Sequence, residues 1–344
     1  MQLSIFLCKF ANYLQVRNYM SNRIDWIDSL RGICMLAILL DHTEIYYAGK
    51  NIIDYNFYVV NALVLFFFLS GYLMYRDNQN FNIIHKLKSI TKGLLIPYFI
   101  FTTIIALPKA VAHGNTIEIN HIFMQIVMGQ ASWFVAALCL SELFFAISMW
   151  ITRGKLLLLF FIGVIGFVIS IYLSSSSNGG QTFPWQLDNS LQALLFLCIG
   201  YTYHRYEHVF NIFNHIPYLS LLLIMLVILK IYEYMNGVNM LIWHIDINNY
   251  PVFILDISLC ALLMIHLCKL LPRYKWLVWT GEHSLVYYFL CGGIPFLISK
   301  LFIKVDLAYN GNYLYVMATF AIVYLITSIC TWLIYKYTPF LVGK

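Results

Sequence analysis

The chain has 344 residues, of which 61% are hydrophobic and only 10% charged, and its formal net charge is +6. Soluble domains carry roughly 25% charged residues, so this composition excludes an ordinary soluble protein and indicates one that lies in a lipid bilayer. The cytoplasmic face of a membrane, with its anionic lipids, accounts for the positive charge. We therefore expect no nucleic acid among the partners.

Residues 1–22 precede the first apolar run and are mildly amphipathic, with Lys9 and Arg17 set among large apolar residues. They lack the small-residue cleavage site of a signal peptide, so we expect an interfacial amphipathic segment. Met20 is as compatible with the start of the protein as Met1, because every candidate functional residue follows it. Residues 23–344 are expected to form one transmembrane domain.

Ten apolar runs come close to the length of about 17 to 25 residues that a helix needs to cross a bilayer. Such uniformly apolar runs suit helices better than the alternating strands of a barrel. The predicted fold class is therefore all-α, a polytopic membrane bundle of about ten transmembrane helices. The runs lie at residues 33–48, 57–75, 94–112, 131–150, 156–173, 187–203, 217–232, 252–271, 284–302 and 313–335, and the sixth is the weakest.

The Lys and Arg residues predict the orientation, because cytoplasmic loops hold the positive excess. Ten crossings place both termini on one side, and most of the 21 Lys and Arg residues then fall on that side. If the sixth run did not cross, several of these basic residues would move to the other side. Both termini are therefore predicted to be cytoplasmic, in a multi-pass protein of the cell membrane.

The first run begins DWIDSLRGICMLAILLDH and carries Arg31 and His42 eleven positions apart. At 100° per residue this spacing is three helical turns plus about 20°, so both side chains lie on one face, roughly 16 Å apart along the axis. Arg31 is then at the cytoplasmic edge and His42 near the middle or outer half of the bilayer. A polar side chain at that depth is costly unless it faces a cavity or a partner, which favours a reaction centre inside the membrane.

Imidazole suits acyl transfer because its pKa of about 6.5 lets it take a proton from a hydroxyl near neutral pH and return it later. Asp41 and Glu44 lie beside His42, where each can orient the imidazole, bind an acceptor hydroxyl or simply mark the outer interface. The alternative for His42 is a hydrogen bond between packed helices. The alternative for Arg31 is an anchor paired with Asp28 at i,i+3.

Further polar and aromatic segments are candidates for binding. Arg76, Lys88 and Lys92 lie in a basic loop that either binds an anionic donor or only sets the topology. The predicted external loop 236–251 carries aromatic residues that can contact an acceptor, whereas the loop 174–186 is expected to be a linker. The cysteines sit singly in apolar runs, so neither disulfides nor a metal site are predicted.

The Arg31 to His42 spacing after DSLRG resembles the signature of the acyltransferase-3 family of membrane O-acyltransferases. Four later segments are similar to family motifs in the same order, and the resemblance covers nearly the whole chain. These segments are FFFLSGYLMYR (66–76), KSITKGLLIPYF (88–99), WFVAALCLSELFF (133–145) and GEHSLVYYFL (281–290). The Arg31 to His42 spacing in the first run is a specific match to the family, whereas each of the four later segments is a weak match by itself.

The resemblance implies an acyl-coenzyme A co-substrate, acetyl-CoA above all, that is presented from the cytoplasm without a tightly bound cofactor. It also implies a carbohydrate or glycolipid acceptor outside. His42 then matches the catalytic histidine, acting as general base, and Arg31 the essential arginine. Trp133, Glu142 and Asp256 are candidates for the acceptor site or a polar cavity, with pairing between helices as the alternative for the two acids.

Two residues depart from the family pattern. Asp41 stands where Gly is often found, and Cys291 stands where family members often carry His. The alternative class of function is a transporter or flippase for a glycolipid or polar solute. Such a protein would use Glu142, Asp256 and His266 as a polar path and would show no acyl chemistry.

Overall fold

The structure is a computed structural model that describes residues 24–75, 81–112, 118–176 and 183–343. The predicted interfacial segment, residues 1–22, and Arg76 of the basic loop lie outside the described residues. Where the chain is described it is mainly helical, which confirms the predicted all-α fold class.

The helices and strands have the following bounds, in chain order. The helices are α1 (Asp25–Thr43), α2 (Tyr55–Met74), α3 (Ile83–Ile90), α4 (Ile96–Ala112), α5 (Ile119–Val127), α6 (Trp133–Thr152), α7 (Leu156–Ser176), α8 (Leu187–Arg205), α9 (Glu207–Phe210), α10 (Ile216–Met235), α11 (Tyr250–Leu270), α12 (Lys275–Glu282), α13 (Ser284–Leu290), α14 (Gly293–Lys304) and α15 (Tyr313–Tyr337). The strands are β1 (Met240–Ile242) and β2 (Ile245–Ile247). Wider π-helical turns at Glu44–Ala48 and Thr91–Leu95 follow α1 and α3.

Seven described helical segments are long and apolar enough to cross a membrane, and the pair α13 and α14, bent by 43°, can form an eighth crossing. The seven are Tyr55–Met74, Ile83–Ala106, Trp133–Thr152, Leu156–Ser175, Ile216–Met235, Tyr250–Leu270 and Tyr313–Tyr337. Each of the ten predicted runs overlaps a helix, but α1 carries several charged residues and α8 begins with polar ones. Apolar length therefore supports seven or eight crossings, and ten stays a prediction.

An antiparallel hairpin of β1 and β2 interrupts the helical fold within the predicted loop 236–251. Met240 faces Ile247 across the pair. The Met240 N–H donates to Oδ1 of Asn56 at 2.9 Å, which holds the hairpin against the start of α2. Trp243 and His244 lie between the strands, at the tip of the hairpin.

One end of the bundle, which we call the Asp25 end, is joined by ion pairs between helix ends. Nη2 of Arg273 lies 3.1 Å from Oδ1 of Asp25, and Nζ of Lys269 lies 2.7 Å from Oε1 of Glu207. The Tyr72 hydroxyl also donates to Glu207, at 2.7 Å. The start of α1 and the ends of α2, α8 and α11 therefore lie together at this end.

The opposite end, which we call the Glu44 end, is joined by hydrogen bonds around the turn that follows α1. The Tyr313 hydroxyl donates to Oε1 of Glu44 at 2.7 Å, and the Tyr47 hydroxyl donates to the Leu307 carbonyl at 2.8 Å. These contacts bring the end of α1 to the start of α15. The hairpin and the start of α2 lie at this end as well, because the loop between α1 and α2 is short.

α1 packs against α2, α11, α12, α13, α14 and α15, and two glycines bring its backbone against that of α12. A Cβ on Gly281 would lie 1.7 Å from the Asp28 carbonyl oxygen, and one on Gly32 would lie 2.3 Å from a carbonyl of α12. Lipid tails are as apolar as the helices, so membrane helices gain stability from close approach at small residues. α2 and α8 approach each other in the same way at Gly71 and Gly200.

The α1–α12 contact yields a stability prediction. We expect Gly281→Ala to destabilise the protein by at least about 1–3 kcal/mol, the usual cost of overpacking, because the new Cβ collides with backbone that cannot rotate away. The measurement is the thermal unfolding temperature of the purified protein in detergent. Gly93→Ala is the control, because a Cβ there meets nothing within 4 Å. Equal unfolding temperatures for Gly281→Ala and the control would contradict the packing argument.

Candidate functional site

Arg31 and His42 lie on the single uninterrupted helix α1, so the helical spacing expected between them is present. Met35 and Ile38, which fall on the same face between them, are only 1% and 2% exposed. At about 1.5 Å per residue, Arg31 and His42 are roughly 16 Å apart along the axis. The part of the stripe between the two groups therefore faces the protein interior.

Arg31 contacts the carboxylate that the sequence suggested as its partner. Nη1 of Arg31 lies 3.8 Å from Oδ1 of Asp28, and the two side chains are 28% and 8% exposed. A separation of 3.8 Å is an ion pair without a close hydrogen bond. The guanidinium thus has a protein anchor and still keeps exposed surface with which an anion can pair.

His42 is half-buried at the end of α1, next to the π-helical turn. Its ring stacks on Tyr46 with 6.2 Å between centroids, and Tyr46 packs edge-on against Phe296 at 5.5 Å. A Cβ on Gly292 would lie 3.8 Å from the Tyr46 hydroxyl. Single π-helical turns inside α-helices are often found at functional sites, because they shift the side chains that follow them.

Asp41 and Glu44 are both buried, and they hold the loop that follows α1. Oε2 of Glu44 accepts the backbone N–H groups of Ile52 and Ile53 at 2.8 and 3.0 Å, while Oε1 accepts the Tyr313 hydroxyl. Oδ1 of Asp41 accepts a hydrogen bond from the Asn51 side chain. Loop fixation is a role that the sequence analysis did not assign to these acids, since their partners cannot be read from local spacing.

The late segment GEHSLVYYFL links α1 to α6. Its Gly281 contacts α1, and its Tyr288 packs against Phe134 of α6 with 5.1 Å between ring centroids. The Cys291 thiol donates to the Tyr288 carbonyl at 2.9 Å, one residue before the Gly292 that adjoins Tyr46. The segment thereby connects the surroundings of His42 to the start of α6.

His283 of the same segment was not singled out from the sequence. It is 2% exposed, its Nδ1 lies 2.6 Å from the Trp279 carbonyl oxygen, and its ring meets Tyr335 edge-on at 4.2 Å. These contacts place it in the packing between α12 and α15. Its position inside the family motif was the one signal that could have drawn attention to it.

The basic loop separates into paired and exposed residues. Lys88 and Lys92 are exposed on α3 and the turn after it. Lys86 instead reaches into the bundle, where its Nζ lies 2.7 Å from Oε2 of Glu142, and Ser70 donates to the other oxygen of that carboxylate. α3 packs on α6, whereas Arg31 lies on α1 and pairs with Asp28.

Asp256 belongs to a buried polar cluster between α2, α10 and α11. Its Oδ2 accepts hydrogen bonds from Lys230 and Asn61, both at 2.9 Å, and Lys230 also pairs with Glu233 at 3.1 Å. Lys230 and Glu233 thus form an i,i+3 ion pair, with Asp256 as a third member. Buried charges with partners of this kind are stable only as a group, because removing one leaves another uncompensated.

His266 is held in another cluster, by Tyr203 at 3.0 Å and Asn214 at 2.7 Å. Glu142, Asp256 and His266 are thus engaged by three different sets of partners. A polar path through the bundle would require them to face a common passage. Their contacts give the transporter alternative no specific support.

Trp133 meets the tip of the hairpin. Its ring stacks on Trp243 with 5.8 Å between centroids and 15° between planes, and Trp243 stacks on His244 at 4.5 Å. The Asn189 side chain donates to the Ile242 carbonyl beside this stack. The start of α6, the start of α8 and the loop 236–251 therefore converge at the Glu44 end.

A cavity of about 250 Å³ opens at the Asp25 end and is lined by Asp25, Trp26, Ser29, Cys268, Lys269, Leu271 and Arg273. It lies against the face of α1 opposite to Arg31, because Ser29 and Arg31 are 200° apart around the helix. Burial raises the pKa of the adjacent Glu207, but hydrogen bonds from Lys269 and Tyr72 leave that pKa below its ordinary value. The lysine that borders the cavity thus has a charged partner.

Comparison with known proteins places these residues in a family. The model of a family described as an acyltransferase domain, acyltransferase-3, matches residues 24–336. No curated protein and no solved structure matches the chain. The matched region begins just before α1 and includes Arg31, His42, Trp133 and the late segment that contacts α1. Since it covers nearly the whole chain, the protein belongs to the acyltransferase-3 family.

Proposed function

We propose that the protein transfers an acyl group, in the first instance acetyl, from cytoplasmic acyl-coenzyme A to a hydroxyl of an extracytoplasmic glycan or glycolipid. The observation that carries the proposal is α1 itself, with Arg31 towards the Asp25 end and His42 towards the Glu44 end on one buried stripe. Membership of an acyltransferase family supplies the reaction class. A single helix then connects a donor side to an acceptor side.

Helix-end contacts support ten crossings with cytoplasmic termini. In that topology the start of the first span and the ends of the second, sixth and eighth lie on one side. The Asp25 end joins those same ends, through Asp25 with Arg273 and through Glu207 with Lys269 and Tyr72. Its basic side chains favour the cytoplasmic side. The Glu44 end then faces the exterior, in a multi-pass protein of bacterial inner-membrane type.

Donor binding is assigned to Arg31. A guanidinium binds phosphate through two parallel charge-assisted hydrogen bonds, and Arg31 keeps exposed surface beside Asp28. Arg76, Lys88 and Lys92 provide further positive charge for the phosphates of coenzyme A. The arm that carries the thioester then extends along α1 towards His42, and acetyl-CoA acts as a co-substrate that leaves as coenzyme A.

His42 is assigned as general base. Its imidazole takes the proton of the acceptor hydroxyl while the oxygen attacks the thioester carbonyl. The new C–O bond forms, the C–S bond breaks, and the coenzyme A sulfur takes the proton from the imidazolium as it leaves towards the cytoplasm. In the two-step variant an imidazole nitrogen of His42 attacks the thioester carbonyl, the C–S bond breaks and coenzyme A leaves first. The hydroxyl then attacks the acyl-imidazole, and its proton passes to the imidazole that is released.

The base assignment predicts that His42→Ala lowers acyl transfer about 10²–10⁴-fold, the usual contribution of a general base, while membrane expression persists. The measurement supplies radiolabelled acetyl-CoA to inside-out vesicles and follows labelled glycan by mass spectrometry. His215→Ala is the control, because His215 is an exposed residue that precedes α10. Wild-type transfer by the His42 variant would rule out this mechanism.

The donor assignment predicts that Arg31→Ala raises the KM for acetyl-CoA about tenfold to a hundredfold, since a hydrogen bond to a charged group contributes roughly 1.5–3 kcal/mol. Asp28→Asn is the matched control, because it removes the ion pair and keeps the guanidinium. We expect the Asp28 variant to retain a near-normal KM. Equal effects of both variants would indicate that Arg31 serves only to anchor Asp28.

A further inference from the structure

Polar side chains at the start of α8 are buried with atoms that have no hydrogen-bond partner among the described residues. These atoms are Nε2 of Gln186, Oδ1 of Asp188, Oδ1 of Asn189 and Nε2 of Gln192. The four residues are only 2%, 7%, 4% and 4% exposed, respectively. A buried polar atom left without a partner costs about 1–3 kcal/mol, so a concentration of them within about two helical turns calls for water or a ligand as partner.

Two of these residues, Asp188 and Asn189, interact with the hairpin that carries Trp243 at the Glu44 end. Asn189 donates to the Ile242 carbonyl, so the unpartnered oxygen of the same amide lies beside Trp243. Asp188 is within electrostatic range of His244, which stacks on Trp243. Gln192 follows Asp188 by four positions and shares its face of α8.

The tryptophan pair beside these residues is partly accessible to solvent. Trp243 is 37% exposed, and its ring lies parallel to Trp133 within 15°. Flat aromatic faces bind apolar surfaces with little loss of conformational entropy. A partly exposed tryptophan thus adjoins buried polar groups of α8, and we call Trp133, Trp243, Asp188, Asn189 and Gln192 the amide–tryptophan site.

The chemistry of the site selects a class of ligand. Its unpartnered atoms include a donor, on Gln192, and acceptors, on Asp188 and Asn189. An acyl chain would leave all of them unsatisfied, and an anion would meet the carboxylate of Asp188. A neutral sugar ring offers hydroxyls that donate and accept, together with a C–H face that can lie on a tryptophan.

We propose that the amide–tryptophan site binds a neutral sugar ring of the acceptor glycan; the role of the sugar as acceptor rests on the function proposed above. The site is joined to the surroundings of His42 by the late segment. Phe134, next to Trp133, packs on Tyr288, and the same segment reaches Gly292 beside Tyr46. A saccharide held at the tryptophans is thus positioned on the side of the bundle where the base receives a hydroxyl proton.

The test uses the full chain in detergent, with cellotetraose and chitotetraose as neutral probes and tetragalacturonate as the anionic one. Binding is followed by tryptophan fluorescence. We expect saturable binding of at least one neutral probe, weakened tenfold or more in both Trp243→Ala and Gln192→Leu. Trp276→Ala is the control, because Trp276 is an exposed tryptophan on α12. A normal unfolding temperature for Gln192→Leu, which removes a buried amide, separates lost binding from lost folding.

The proposal is overturned if neither neutral probe binds, if only tetragalacturonate binds, or if both site variants bind like the control. Failure of this site and failure of the proposed function give different results. If acetyl transfer requires His42 but is unchanged in Trp243→Ala and Gln192→Leu, the result contradicts the sugar-binding site and leaves the proposed function standing. If these variants weaken saccharide binding but the protein transfers no acetyl group, the result contradicts the proposed function and leaves the sugar-binding site standing.

Discussion

Gly32 and Gly281 bring the backbones of α1 and α12 into direct contact, and the positions of the candidate groups depend on that contact. In water a helix can be held by burial of its apolar face, but in lipid that driving force is absent. The stability of the contact between two helices then depends on how closely they pack. The glycines fix the depth at which α12 and the following α13 lie against α1. They therefore fix where Tyr288 and the turn at residue 292 stand relative to His42.

The ionisable groups inside the bundle fall into two kinds. Glu142 with Lys86, and Asp256 with Lys230, are held in short ion pairs between helices, which neutralise charge where the bilayer cannot. Such pairs contribute mainly by preventing an uncompensated charge. Arg31 differs, because its ion pair is long and its side chain partly exposed. Part of the Arg31 side chain therefore stays accessible, which the proposed donor role requires.

Helical periodicity was sufficient to predict that Arg31 and His42 share one face of one helix, because that relation depends only on rotation per residue. It was not sufficient for Asp41 and Glu44. The Glu44 carboxylate accepts hydrogen bonds from two backbone N–H groups of the next loop and from a tyrosine hydroxyl 269 positions away. No pattern in the sequence around Glu44 indicates these partners. The meeting of Trp133 and Trp243 likewise depends on a hairpin whose register no apolar run encodes.

Cys291 stands where family members often carry His. Its thiol donates to the Tyr288 carbonyl, in the stretch that connects Phe134 of α6 with Gly292 beside Tyr46. Cysteine is small and weakly polar, so at this position it fills space without demanding a strong partner. The proposed transfer requires one group that takes a proton from the hydroxyl and returns it to the sulfur. In the proposed mechanism His42 performs both steps, so that mechanism requires no second imidazole at residue 291.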